Sequence, residues 1–291
     1  MMRASREKTA GILPAQDRWK TLGEFLKSRR ERLQPEQAGI TGSYGRRRTP
    51  GLRREEVAYL AGVSATYYTW LEQGREVNPS KEVVEGIGRA LQLSGDEMMH
   101  LMGLSAPQED ISVFSPDREE TGLKPEWQHI IDQLAYPSFI SNDRTEVLAW
   151  NRAADVVLAD FTSMKPADRV MMHLLFEDGD FRRRMVNWEE FAQYSAAVFR
   201  TYYDRHQSDP WFGESVRRLC AKCPEFEELW RRHDIQLKKS IQVRLMDPRA
   251  GELAFEINSF ASLNGRTDLH CCVYTPVSGT ETETRLRELL G

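Results

Sequence analysis

Residues 54–73, REEVAYLAGVSATYYTWLEQ, constrain the fold of this chain more tightly than any other stretch. Ala58 is a small residue at a point where two helices must approach closely. Gly62 follows four positions later, where a sharp turn calls for a positive φ. Val63 is expected as a buried plug. Val57, Ala61, Tyr68 and Leu71 fall at the positions that close a helix pair. Ser64 is placed to N-cap the second helix by accepting a free backbone N–H. A generic helical hairpin would need only the apolar stripe. The small residue, the glycine and the capping serine at these offsets predict a helix-turn-helix, whose second helix enters a DNA major groove.

The formal net charge of −4 hides an asymmetry: residues 1–105 carry 17 Lys and Arg against 13 Asp and Glu, and the remainder 23 against 31. The basic part holds the motif, as a phosphate-binding surface requires. A chain of 291 residues is expected to hold about two domains. No run approaches the length of a transmembrane helix. Residues 1–17 have no apolar secretory core and read as a mobile tail. Four cysteines in a chain this long make no disulfide framework, which fits a reducing, cytoplasmic setting.

The pattern divides the chain into a helix-turn-helix domain over 18–104, a polar linker over 105–124 and a second domain over 125–291. In the first, Thr21 and Glu24 predict a capping box opening a helix through Leu22, Phe25, Leu26 and Leu33. Ser80 is expected to cap a fourth helix through Val83, Val84, Ile87 and Leu91, and Ser94 with Glu97 to open a fifth. In the second domain, 137–141 and 146–150 form a predicted hairpin around 142–145. A helix capped by Asn187 is expected to carry an aromatic stripe, and Pro210 and Pro224 to open two more. Alternation then predicts three strands whose buried residues are Ile241, Val243 and Leu245, then Leu253, Phe255 and Ile257, then Leu269, Cys271 and Val273. A tail helix closes the order. The class is an all-α helix-turn-helix domain followed by an α+β domain.

The DNA-facing candidates follow from docking geometry. The first turn of the second helix nominates Ser64, Ala65, Thr66 and Tyr67, with Thr69 and Trp70 one turn on. Arg46, Arg47, Arg48, Arg53 and Arg54 offer guanidinium forks to phosphates, Arg54 first among them. Two readings stay open for Trp70: a contact with the sugar-phosphate backbone, or packing on a loop or a dimer partner. Arg75 either reaches DNA or pairs with Glu72 or Glu76. One recognition helix reads too few base pairs for a unique site, so a homodimer on a palindromic, double-stranded operator is expected.

In the second domain a mainly apolar pocket is expected between sheet and helix. Phe139, Trp188, Phe191, Tyr194, Phe199 and Phe255 are its walls. Arg200 is either a carboxylate anchor or half of a surface salt bridge. Asn151 reads as a helix cap. Cys220, Cys223, Cys271 and Cys272 read poorly as a zinc site, because adjacent cysteines on a strand point to opposite faces. No nucleophile–base spacing or phosphate loop supports catalysis, and no resident cofactor is indicated, although a haem or flavin sensor remains an alternative. A further alternative is a second domain that serves only as a dimerisation or partner platform.

The residues resemble the MmyB-like transcriptional regulators, which join an Xre-type, lambda-repressor-like helix-turn-helix to a PAS-like ligand-binding domain. The resemblance rests on RRRTPGLRREEVAYLAGVSATYYTWLEQGR (46–75) and NPSKEVVEGIGRALQL (78–93). In the second half it rests on AWNRAA (149–154), Asn187-Trp188-Glu189, Asp209-Pro210, Pro224-Glu225-Phe226 and Trp230. Where that family usually has His-Pro before its late hairpin turn, this chain has Asp247-Pro248. The resemblance implies a dimeric bacterial regulator, often tied to antibiotic or secondary metabolism, with a fatty-acid-like ligand in the PAS-like pocket.

Overall fold

A computed structural model describes residues 15–40, 50–105, 123–206, 209–263 and 266–291. They fall into two compact units, one built on the N-terminal helices and one on a sheet.

The first unit contains α1 (Ala15–Arg32), α2 (Arg54–Ala61), α3 (Ala65–Glu72), α4 (Lys81–Ala90) and α5 (Gly95–Ser105). The expected start at Thr21 is corrected: α1 begins six residues earlier, and Thr21 is buried inside it. Trp19 explains the extension. Its ring is buried and continues the stripe of Leu22 and Leu26 by one turn. Gly23 lies where α1 passes the end of α3; a Cβ there would meet the Glu72 carbonyl oxygen at 2.6 Å. Tyr68 and Leu71 of α3 complete the core with Val57, Leu52, Val84, Ile87 and Leu101. Ser94 and Glu97 form the expected reciprocal box: the Glu97 carboxylate accepts the Ser94 amide at 2.8 Å, and the Ser94 hydroxyl accepts the Glu97 amide at 3.3 Å. Ser80 occupies the N-cap of α4 with extended backbone, but its hydroxyl accepts no helix amide.

The second unit starts with α6 (Pro125–Asp132), then β1 (Ser138–Asn142), β2 (Val147–Trp150) and α7 (Arg152–Val157). The helices α8 (Met171–Glu177), α9 (Gly179–Arg184), α10 (Trp188–Arg205), α11 (Pro210–Lys222) and α12 (Pro224–Arg231) follow. The chain ends with β3 (Ile241–Asp247), β4 (Gly251–Leu263), β5 (Arg266–Pro276) and α13 (Thr282–Leu290). The strands form one antiparallel sheet in the order β2-β1-β5-β4-β3, a PAS-like arrangement. Val243, Leu245, Leu253, Phe255 and Ile257 are buried as the alternation predicts.

The expected parity of β5 is corrected. Leu269 is buried as expected, but from there the alternating buried set is His270, Cys272 and Tyr274, while Cys271 and Val273 are half-buried on the other face. That other face is also covered. Ile131 of α6 packs with Ile140 and Ala149, and Cys271, Trp127 and Leu263 join the cluster. A strand covered on both sides loses the contrast that alternation depends on.

Candidate nucleic-acid interface and ligand-binding domain

In the turn between α2 and α3, Gly62 takes φ +70°, and its amide bonds the Tyr59 carbonyl at 3.2 Å. The Val63 amide reaches the Ala58 carbonyl at 3.0 Å, so the end of α2 is tied off by a left-handed glycine. Val63 and Ala61 are half-buried rather than sealed. The Ser64 hydroxyl accepts the Tyr67 amide at 3.1 Å, the cap that its position predicts.

Beyond that cap, α3 offers a mixed face. Ser64, Thr66 and Trp70 are exposed, and Ala65, Tyr67 and Thr69 are half-buried. The Thr69 hydroxyl donates to the Ala65 carbonyl at 2.7 Å, which leaves the Thr66 hydroxyl as the better placed of the two for an external acceptor. The Arg75 guanidinium stands 5.7 Å from the centre of the Trp70 ring, a cation–π distance at the end of the recognition helix. Arg53 occupies the N-cap of α2, where its amide donates to the Glu56 carboxylate at 2.7 Å. Arg46, Arg47 and Arg48 lie outside the described residues.

The centre of this unit is a charged cluster that the sequence did not announce. Glu72, the last residue of α3, is buried, and its carboxylate takes a bidentate grip from Arg30 of α1 at 2.6 and 2.8 Å. Arg30 also donates to the Leu52 carbonyl at 2.9 Å. Arg54 reaches the same carboxylate from the start of α2, at 3.0 Å through Nε and 2.8 Å through Nη2. One carboxylate thus joins three helices and fixes the orientation of α3. Burial works against ionisation of Glu72, but the hydrogen bonds and charges of Arg30 and Arg54 outweigh it and hold the carboxyl below its ordinary range. Arg54 keeps 42 % of its side-chain surface exposed while it makes this bond. The partners of Glu72 are therefore Arg30 and Arg54, and Arg75 stands at Trp70 instead. The sequence signal for this was a lone acid ending an apolar helix, with an arginine inside the α1 stripe.

In the second unit the expected pocket residues separate into groups. Phe139 and Phe255 belong to a sheet cluster, at 6.0 and 6.2 Å from Tyr274, with Phe161 6.4 Å from Phe139. Trp188 and Phe199 belong to a helical cluster: Trp188 meets Phe176 at 5.8 Å, Phe176 meets Phe226 at 4.9 Å, and Phe226 and Phe199 meet Trp230 at 5.5 and 6.1 Å. Phe191 and Tyr194 pair at 6.4 Å. The Tyr194 hydroxyl donates to the Lys239 carbonyl and accepts the Lys239 amide, both at 2.9 Å. Arg200 is no surface residue: it is buried, lies 3.7 Å from the Trp230 ring centre and donates to the Trp230 carbonyl at 2.6 Å.

Two open clefts meet at Asn187. One, of about 540 Å³, runs between α10 and β3 and is lined by Tyr194, Glu190, Lys239, Ser240 and Arg244 among others. The second, of about 630 Å³, includes Arg182, Val186 and Trp188. The first is lined mainly by polar groups, and the second by polar and apolar surface in about equal measure. Asn187 precedes α10 as predicted, yet its side chain serves the sheet: Oδ1 accepts the Arg244 amide at 2.9 Å, and the amide group donates to the Gln242 carbonyl at 3.0 Å.

Asn151 makes five side-chain hydrogen bonds. Oδ1 accepts the amides of Ala154 (2.9 Å) and Ser138 (3.0 Å), the first being the expected cap. Its amide group donates to the carbonyls of Tyr136 (2.8 Å), Leu134 (2.9 Å) and Ile131 (3.3 Å). Cys223 precedes α12 without capping it, and its thiol donates to Glu225 at 3.3 Å. Burial, with the Cys272 charge second, pushes the Cys271 thiol up to about 11. Among the described residues no group of three or more potential ligands is placed to hold a metal, and no helix is long and apolar enough to cross a membrane.

A capped helix-turn-helix followed by a separate α+β ligand-binding domain defines the class: a DNA-binding transcription regulator that responds to a small molecule. A helix-turn-helix domain model matches residues 21–101, and the model of the MmyB-like transcription regulator ligand binding domain matches residues 123–290. The chain belongs to the MmyB-like transcription regulators. No curated protein matches it.

Proposed function

We propose that this protein binds a palindromic operator as a homodimer and that a small, apolar, fatty-acid-like molecule in the second domain governs that binding. The DNA half rests on α3. Its first turn is capped, its Thr66 hydroxyl faces outward, and the Arg30–Glu72–Arg54 cluster holds it from below. In the operator complex Ser64, Ala65, Thr66, Tyr67 and Thr69 read base edges, and Arg53, the open side of Arg54 and Arg75 with Trp70 meet the backbone. Arg46, Arg47 and Arg48 add phosphate contacts. The observation that carries this reading is the Ser64 cap two residues after a left-handed Gly62. Titration of the protein onto operator and random DNA at several salt concentrations tests it. Affinity should fall steeply with salt, as counterion release demands. A flat response would refute DNA binding through these arginines.

The ligand half rests on an antiparallel sheet whose helix-facing residues are mostly apolar, with the buried His270 among them, facing an aromatic helix. Phe139, Trp188, Phe191, Tyr194, Phe199 and Phe255 wall the ligand, and Arg200 anchors its carboxylate. A long-chain acid should raise the melting temperature by binding only the folded state. Phe191→Glu should abolish that rise. Mass spectrometry of denatured protein checks for a retained lipid. One observation favours a second reading. Phe199 and Phe255 are fully buried and close-packed among other rings. If fatty acids leave the melting temperature unchanged and no lipid is extracted, the second domain is better read as a packed dimerisation or partner platform.

A further inference from the structure

A sheet edge presents unpaired N–H and C=O groups, and chains cover or charge such edges to prevent unwanted pairing. This sheet covers part of each outer edge with its own chain. At β2, Val170 bridges Glu146, and the Val147 amide donates to the Arg169 carbonyl at 2.7 Å. At β3, Met185 bridges Leu245, the Val186 amide donates to the Arg244 carbonyl, and Asn187 takes the next two backbone groups.

One edge is left. β3 pairs with β4 from Asp247 and Gly251 to Ile241 and Ile257, and there β3 begins. β4 continues to Leu263 against β5 alone. The Ser240 hydroxyl on the Ile257 carbonyl marks the last covered group. Beyond it, among the described residues, no strand pairs with β4 on that side. The segment Ile257–Leu263 reads INSFASL, with no charge and no proline, the two residue types that blunt an edge. Phe260 is 58 % exposed. It sits opposite Cys271, on the sheet face that carries Ile140, Trp127 and Leu263.

We propose that this uncovered edge of β4, centred on Phe260 and Ala261, is an interface between two copies of this chain, which pair through it as antiparallel strands. The occupant follows from charge and symmetry. An antiparallel pairing of one segment with itself is two-fold and self-complementary. It places like residues near like, which is tolerable only for a neutral segment. INSFASL is neutral, whereas an edge built for a charged peptide would carry the opposite charge. Pairing joins two sheets into one and brings both Phe260 rings together on one face. The choice of a second copy also rests on the reading above that two recognition helices act on one operator, since each chain supplies one.

The test is sedimentation equilibrium of the full chain at about 10 μM, where a micromolar dimer is populated, for wild type, Phe260→Glu, Phe260→Lys and Met246→Glu. Wild type and Met246→Glu, an exposed site on β3, should be dimers. Phe260→Glu and Phe260→Lys should each weaken the dimer at least about tenfold through like-charge opposition. Their equimolar mixture should restore it, which only a self-opposed site predicts. Unchanged circular dichroism of each variant guards against misfolding, and the pair Ala261→Glu and Ala261→Lys, at an exposed position, replaces the Phe260 pair if either member fails to fold. A monomeric wild type overturns the proposal. So does a dimer that survives both Phe260 variants, but that result leaves the operator reading standing with its interface elsewhere. A mixture that stays monomeric would mean that the edge takes a different partner.

Discussion

The Arg30 guanidinium and the Glu72 carboxylate meet through two bonds of 2.6 and 2.8 Å, with 3 % and 0 % of their side-chain surfaces exposed. The pair ties α1 to the far end of the recognition helix, and Arg54 closes the cluster from α2. Removing one member strands the others. Glu72→Gln should destabilise the first unit by about 3–5 kcal/mol, because two guanidinium groups lose their counter-charge and one of them is buried. In a unit of this size that lowers its calorimetric transition by about 10 °C or more. A loss below about 1 kcal/mol would show that the cluster is ornamental to stability.

The same cluster sets an acid limit. Glu72 titrates below its ordinary range in the folded state. A depressed carboxylate contributes stability that is fully present above its unfolded pKa, about 4.3, and is lost as pH falls through the folded value. The first unit should therefore keep this contribution at pH 5–7, on the order of its neutral value, and lose it below about pH 4. Glu72→Gln should flatten that part of the stability profile. An unaltered acid slope in the variant would move the cause to other carboxylates.

Legibility followed the kind of signal. Gly62, Ser64 and the Ser94–Glu97 box were readable because caps and turns are local, and each needs a particular side chain at a particular offset. Thr21 misled because Thr-x-x-Glu matches a capping box wherever it falls; only the burial of Trp19 shows that the helix has already begun. The parity of β5 was lost because α6 covers the second face of the sheet, a tertiary fact with no local trace. Glu72 was visible only as the end of an apolar helix, since its partners lie 42 and 18 positions away. The pocket residues were identified as apolar and buried, but periodicity does not tell a cavity wall from a packed ring such as Phe199.

Asn151 offers a sharper case of the same limit. Its role as the cap of α7 was legible, but its three further carbonyl partners, Ile131 in the last turn of α6 and Leu134 and Tyr136 beyond it, were not. Asn151→Ala should cost about 3 kcal/mol or more, because several buried backbone groups lose their partner together. Asn151→Asp should cost at least as much, since the carboxylate would face the carbonyls that the amide now serves. Denaturant titration of both variants checks the order. An aspartate variant as stable as wild type would show that the cap alone matters.

The DNA face separates two kinds of contact, and two substitutions distinguish them. Thr66 is exposed one residue into α3, with a hydroxyl that no hydrogen bond within the helix requires, unlike that of Thr69. Thr66→Ala should lose on the order of 1–3 kcal/mol on operator and little on random DNA, because a base-edge contact carries sequence information. Arg54 is half-committed to Glu72 and half-open. Arg54→Ala should weaken operator and random DNA by similar factors and reduce the salt slope by about one phosphate contact. It should also lower the melting temperature of the first unit, since Glu72 loses one of its two cations. Arg54→Lys separates the two effects. A lysine keeps the charge but not the planar fork, so it should recover most of the salt slope and less of the stability. Equal losses on both DNAs for Thr66→Ala would remove that residue from the reading face and leave specificity to Ser64, Ala65 and Tyr67.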